Sequence, residues 1–230
     1  MFQQVAALSD RRSELAQQLI GIQENTFRYI SRELHDEFGQ ILTAIGAMLQ
    51  RVNRRASALE IAFRDDLHEV QEIVQSTLDK VRTLSQALHP VILEEAGLEA
   101  ALKTHLPVFE KQTGIEIRYE AFGTGAPMDG QIAIHLFRVL QEALSNVARH
   151  SKSTHAAVRL RYLPDAVVLE VEDDGVGFGN TTRSHGMGLV SMRERAGLVN
   201  GRLELLERSG GGALVRLTVP LSPEEARVEA

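Results

Sequence analysis

Val167-Val168-Leu169-Glu170-Val171-Glu172-Asp173-Asp174-Gly175-Val176-Gly177 is the stretch on which the fold turns. An apolar strand pattern over 167–171 runs into two aspartates and a Gly-x-Gly, so a carboxylate stands at a strand end beside backbone that carries no Cβ. An aspartate so placed accepts from an exocyclic amine, and the glycines let a flat ring approach. Asp-Gly is also a common hairpin turn, but no matching strand follows. Residues 178–185 are polar and irregular, rich in Asn, Thr, Ser and Gly, and are expected to form a mobile lid.

The flanking segments give this strand its partners. Upstream, 97–111 has a helical pattern, 115–122 alternates as a strand, 129–150 is helical, and 156–162 is a strand that meets 167–171 across a Pro164-Asp165 turn. Downstream, 188–199 is helical, and 202–207 and 214–219 form a closing hairpin across Gly210-Gly211-Gly212. The sum is an α/β sandwich, a helical layer on one mixed sheet.

The N-terminal part obeys a different rule. It contains no proline before His89-Pro90, and its apolar residues Leu15, Leu19, Ile22, Ile30, Leu34, Ile41, Ile45, Met48 and Val52 fall mostly at steps of three or four. After Arg55 the spacing returns in Leu67, Val70, Val74, Leu78, Val81, Leu84 and Leu88. This is helical periodicity approaching an a/d seam, so two long antiparallel helices are expected, joined near residues 53–62. A lone hairpin has little core. A second copy completing a four-helix bundle is the natural partner, and a monomeric hairpin packed on the rest of the chain is the alternative. The fold class is therefore α+β, with domains expected at 1–24 (signalling coiled coil), 25–90 (dimerisation helices), 91–97 (connector), 98–221 (α/β domain) and 222–230 (tail).

Composition excludes several classes. The 230 residues carry a formal charge of −6, from 25 Lys+Arg against 31 Asp+Glu, with no polybasic run, so no electrostatic reason for nucleic-acid binding exists. No cysteine is present, which removes disulfides, thiol catalysis and thiolate metal sites. The longest apolar stretch, 41–49, falls short of the ~18 residues a spanning helix needs, and no signal peptide is visible. A cytoplasmic location is expected, including that of the cytoplasmic portion of a larger or membrane-bound protein.

Two further elements complete a pocket around Asp173. Glu142 and Asn146 are four apart on one helix face, which Arg149 and His150 extend by a turn. A Mg²⁺ ion carrying a nucleotide keeps most of its shell as water and phosphate, so one amide oxygen is sufficient protein input, and Asn146 fits that role. Gly186-Met187-Gly188-Leu189 opens a helix and offers unpaired backbone N–H groups to phosphates. It is neither a dinucleotide fingerprint nor a P-loop, since the third glycine and any Gly-Lys pair are missing. Far upstream, His35-Asp36 pairs a nucleophilic imidazole with a carboxylate that orients it or takes its proton. Gly39, one turn above, leaves room for an incoming group, and Asp36 and Gln40 share an edge.

The ordered set 141–146, 173–178 and 186–189 resembles the N, G1 and G2 boxes of the GHKL ATPase superfamily, which includes sensor histidine kinases, gyrase-type topoisomerases and mismatch-repair ATPases. The run 188–196 is similar to that of sensor kinases paired with LuxR-type response regulators, such as nitrate and membrane-fluidity sensors. Leu34-His35-Asp36-Glu37-Phe38-Gly39-Gln40 resembles their His-Asp-x-x-x-Gln box, and 88–93 with Gly97-Leu98 resembles their inter-domain connector. The likeness covers about residues 25–220. It implies that Asp173 holds the adenine amine of ATP, with Gly175 and Gly177 beside the ring. Asn146 would hold Mg²⁺, the backbone from Gly186 to Leu189 the phosphates, and Glu142, Arg149 and His150 supporting positions. It further implies phosphorylation of His35, transfer to an aspartate of a response regulator, and a phosphatase role for Gln40. One departure is Ala213, where the family often has threonine near the adenine. A clamp-type ATPase and a non-catalytic scaffold are the rival readings.

Overall fold

The computed structural model describes residues 2–55, 61–123, 128–178, 187–208 and 210–221. The expected lid (from 179), Gly186, the junction at 56–60 and the tail after 221 lie outside them. The chain divides into a helical unit, Gly21–Val91, and a second unit made of Met1–Ile20 and Ile92–Ala230. Among the described residues no helix is long and apolar enough to cross a membrane.

The helical unit takes in α1 (Phe2–Glu33) from Gly21 onward, a π turn at Leu34–Phe38, α2 (Gly39–Arg55) and α3 (Ile61–Leu88). The apolar pattern explains the π turn. Shielded positions fall at Ser31 and Leu34, then at Gly39, Leu42, Gly46, Leu49 and Asn53. The step from 34 to 39 is five residues instead of three or four. An i→i+5 turn, in which the Gly39 amide donates to the Leu34 carbonyl, takes up the extra residue and keeps both stretches facing α3. On α3 the shielded positions keep a regular seam, Leu67, Val74, Leu78, Val81, Ser85 and Leu88. Much of the apolar pattern read from the sequence lies on the other side. Ile41, Ile45, Met48 and Val52 of α2, and Val70, Ile73 and Leu84 of α3, are exposed in the single chain.

In the second unit, α4 (Val91–Thr113) is bent at Gly97, whose φ of 80° breaks the helical run. Then come β1 (Glu116–Phe122), α5 (Gly130–Asn146), a π turn (Val147–Ser151), β2 (His155–Tyr162), β3 (Ala166–Asp173), α6 (Met187–Leu198), β4 (Arg202–Glu207) and β5 (Ala213–Pro220). The sheet order is β1-β2-β3-β5-β4, parallel only between β1 and β2. Strand alternation separates its faces. Val158, Leu160, Val167, Leu169, Val171, Val215, Leu217 and Val219 pack with Leu102, Leu136, Phe137, Leu140, Leu144 and Met192 of the helices into one core.

The other face carries charge. Arg161 and Arg216 both clamp Glu170 (2.8 and 2.7 Å), and Arg159 spans Glu172 and Glu120 (2.8 and 3.3 Å). Glu170 is only 2% exposed, and removal of one partner would leave a charge with little water to solvate it. The Arg159 hydrogen bond, the largest influence on Glu172, holds that carboxyl below the usual range.

A pH response follows from α4. The His105 ring stands edge-on to Phe137 at 5.2 Å, and burial, with the Arg138 charge, lowers its pKa. The unfolded chain then binds the proton at higher pH than the native one. Stability is full above the ordinary value of about 6.5 and declines as pH falls from there through the lowered native value. Thermal melts should show a smaller loss between pH 7.5 and pH 5.5 for His105→Phe than for the unmodified chain.

Candidate nucleotide and phosphoacceptor sites

The expected site residues divide between the two units. His35, Asp36 and Gln40 lie in the helical unit, and Glu142, Asn146, Arg149, His150, Asp173, Gly175, Gly177, Met187, Gly188 and Leu189 in the other.

Asp173 ends β3 on the core side of the sheet and is 6% exposed. Its Oδ1 accepts from the Gly175 amide at 2.8 Å, its main-chain carbonyl accepts from Arg208 Nη1 at 3.0 Å, and among the described residues its Oδ2 takes no hydrogen bond. The carboxylate is thus fixed at one oxygen and open at the other. The glycines around it are required by close approach. A Cβ on Gly175 would collide with the Ser151 carbonyl, and one on Gly212, at φ 93°, with the Asp173 carbonyl. Gly177, at φ 71°, faces the Gly212 carbonyl. The Val176 amide donates to Ser151 O (2.9 Å) and the Arg208 amide to Gly212 O (3.1 Å), closing the loop on two sides. Next door, the Ser153 hydroxyl bonds the exposed Asp174 carboxylate and holds its pKa low.

Glu142 and Asn146, both half-buried, stand on the last turns of α5. The start of α6 is packed so closely on Glu142 that a Cβ on Gly188 would meet its carboxylate. Thus the carboxylate of one box and the glycine of another meet directly. Met187 is 89% exposed, and Leu189 packs on the core. Arg149 and His150 do not continue the α-helical face as the spacing implied. The π turn from Val147 adds a residue, leaves both exposed, and turns Ser151 toward the Gly175 loop.

Ser151, Arg208 and Gly212 were not singled out as site residues by sequence reasoning. The glycine triplet reads as a hairpin turn leading into Ala213, and neither the serine nor the arginine sits in a pattern of its own. A cavity of about 300 Å³ touches Asp173, but its other walls are Glu116, Arg118, His155, Ala156, Ala157, Glu172, Asp174 and Arg208. It does not include Glu142 or Asn146, so it is distinct from the cleft the three boxes define. Among the described residues no cluster of three or more His, Asp or Glu could hold a metal.

His35 and Asp36 occupy the first π turn, both exposed, with Gln40 exposed just beyond. The wider turn brings residues four apart closer to eclipse than α spacing does, which aligns His35 with Gly39 and Asp36 with Gln40. A Cβ on Gly39 would find nothing nearer than Leu34 O at 4.0 Å, so the space beside His35 is open.

Comparisons with known proteins agree with this division. Residues 28–93 match the family described as "Histidine kinase", and residues 131–223 the "Histidine kinase-, DNA gyrase B-, and HSP90-like ATPase" family. The oxygen sensor histidine kinase NreB of Staphylococcus carnosus is 34% identical over 211 residues, covering 91% of this chain and 60% of the relative. The signal transduction histidine-protein kinase/phosphatase DegS of Brevibacillus brevis is 30% identical over 224 residues, covering 95% of this chain and 58% of the relative. The chain therefore spans about 60% of the length of these relatives. The histidine kinase domain of the Erythrobacter litoralis EL346 blue-light activated histidine kinase shares the fold, at a TM-score of 0.51 and 19% identity, over 81% of this chain and 96% of that one. The chain thus joins a helical segment that matches the histidine kinase family to a segment that matches the histidine kinase-, DNA gyrase B- and HSP90-like ATPase family.

Proposed function

We propose that this chain is the core of a two-component sensor kinase, in which residues 98–221 bind Mg·ATP and residues 25–90 carry the acceptor His35 and hold two copies together. The observation that carries the reading is the coexistence of an exposed His35-Asp36 pair in an open π turn with a buried Asp173 carboxylate poised in a glycine cradle. An imidazole nitrogen of His35 attacks the γ-phosphorus, the bond to the bridging oxygen breaks, ADP departs, and Asp36 takes the displaced proton. Bound Mg²⁺ supplies charge neutralisation on the phosphates, and positioning does most of the rest. The phosphoryl group then passes to an aspartate of a response regulator, of LuxR type by resemblance. Gln40, beside Asp36, would orient water for the reverse hydrolysis, a role supported by the kinase/phosphatase name of the Brevibacillus relative.

Incubation with γ-labelled ATP and Mg²⁺ tests the reading. Label that is acid-labile and alkali-stable is expected, and ATP turnover without a phosphoprotein would replace it with a clamp-type ATPase.

Asn146→Ala should remove Mg²⁺-dependent phosphorylation while sparing the adenine contact. A labelling rate equal to the unmodified chain's would reject Asn146 as the metal's protein ligand.

The apolar faces left open on α2 and α3 support a homodimer, since contiguous exposed apolar surface of this kind marks an association site. Light scattering of the full chain at micromolar concentration should give the mass of two chains, and Ile45→Glu with Met48→Glu should give one. A monomer from the unmodified chain would contradict the dimer.

A further inference from the structure

The helical unit contains a buried polar cluster that none of the roles above uses. Ser31, in the last turn of α1, is 0% exposed, Ser85 in the last turn of α3 is 2% exposed, and His89 just past α3 is 1% exposed. The Ser31 hydroxyl lies 2.7 Å from the His89 carbonyl, 3.0 Å from the Ser85 carbonyl and 2.9 Å from the Ser85 hydroxyl. The Ser85 hydroxyl in turn reaches the Ser31 carbonyl at 3.0 Å, and the His89 amide donates to Ser85 O at 2.9 Å. The physical need is plain. The Ser85 carbonyl already takes the helical His89 amide, so the group that gains most from α1 is the His89 carbonyl, which lies past the end of α3. A carbonyl on a residue so buried is normally hydrogen-bonded, and the Ser31 hydroxyl donates to it at 2.7 Å.

Position gives the cluster a consequence beyond stability. Ser31 stands one turn before His35, and the π turn begins three residues later. His89 and Pro90 are the last residues before the chain leaves the hairpin for α4. One hydroxyl therefore ties the turn carrying the acceptor to the point through which the ATP-binding part is attached. A serine pair is suited to this, because a hydroxyl can exchange one carbonyl for the other by rotating about a single bond. An apolar contact in the same place would hold the helices together without fixing their axial register.

We propose that Ser31 and Ser85 form a clasp that sets the axial register between the His35 turn and the exit at His89, and are thereby positioning residues for phosphoryl transfer. The proposal rests on His35 being the acceptor. Loss of the clasp lowers the frequency with which His35 is presented to the γ-phosphate and leaves nucleotide binding untouched.

The experiment uses the full chain, with Ser31→Ala, Ser85→Ala and the double variant, assayed well below their melting temperatures. Autophosphorylation at saturating ATP should fall about tenfold or more for Ser31→Ala, with the KM for ATP within about twofold. The double variant should be no slower than Ser31→Ala, because the two hydroxyls act as one unit. Chemical phosphorylation of His35 by phosphoramidate, which needs no ATP-binding part, should proceed at the unmodified rate. If Ser31→Ala loses its helical circular dichroism, Ser85→Ala, which leaves the Ser31–His89 bond in place, is read by the same criteria. A labelling rate equal to the unmodified chain's in the folded variants overturns the clasp, as does an equal slowing of the phosphoramidate reaction, which would mean altered reactivity of the imidazole. His35→Gln separates the two readings. Persistent acid-labile label on that variant defeats the acceptor assignment itself, whereas its absence with unaffected serine variants defeats only the clasp.

Discussion

His35→Gln is expected to reduce acid-labile phosphorylation to background while ATP affinity and melting temperature stay unchanged. The described histidines differ in their surroundings. His89 and His135 are 1% and 5% exposed and closed to an incoming phosphoryl group. His105 is edge-on to Phe137 in the core layer. His68 also has a carboxylate nearby, Glu72 at 3.4 Å, but both are well exposed on a regular α-helical stretch of α3. His155 sits 3.8 to 3.9 Å from Glu116 and Asp174 in the ATP-binding unit. His150 is exposed in the second π turn but has no aspartate beside it, and among the described histidines only His35 combines exposure, an adjacent aspartate, a π turn and an open glycine one turn on. The substitution touches an exposed side chain, so its effect on stability should stay within about 0.5 kcal/mol. His68→Gln is the matched control and should label normally. Label surviving on His35→Gln but lost from His68→Gln would move the acceptor to α3.

The strand sequence of the α/β unit was legible almost residue by residue because its alternation is undisturbed: the core-facing 167, 169 and 171 lead directly to Asp173 on the same face. Glu170 in the middle of that apolar run is explained only by tertiary structure. It faces the other side of the sheet, where Arg161 and Arg216 neutralise it. The first π turn was hidden for a related reason. A step of five between shielded positions leaves the apolar residues on either side individually consistent with a helix, and the misfit appears only when the face toward α3 is known. The seam read from the sequence mixed both faces of the hairpin, since residues that pack within one chain and those left exposed obey the same spacing. At the nucleotide site the boxes named the carboxylate and the glycines. Ser151 acts through its backbone carbonyl, which places no demand on residue type that a sequence pattern could reveal, and the Arg208 guanidinium reaches the Asp173 main-chain carbonyl from 35 residues away, outside all three boxes.

Asp173→Asn should weaken ATP binding about ten- to a hundredfold with the fold intact. In the native arrangement Oδ1 is already engaged by the Gly175 amide at 2.8 Å, so Oδ2 is the oxygen left for the exocyclic amine. An asparagine in the same rotamer must give its only oxygen to Gly175, and it then turns an NH₂ toward the adenine NH₂, donor against donor. Flipped, it accepts from the adenine but sets its NH₂ against the Gly175 N–H. Either way one donor in a nearly closed site is left unmatched, and a charge-assisted bond worth ~1.5–3 kcal/mol is lost, about one to two orders of magnitude in Kd. The main-chain bond from Arg208 and the glycine packing do not depend on the side chain, so the loop should keep its shape. Asp174→Asn is the neighbouring control. Its carboxylate is exposed on the opposite side of the strand and bonded to Ser153, and its replacement should leave ATP affinity within about twofold. Calorimetry with ATP on both variants decides the matter. Equal affinity for Asp173→Asn and the unmodified chain, or a larger loss from Asp174→Asn, would mean that the base is read on the outer face of the sheet and not in the cleft between β3 and α5.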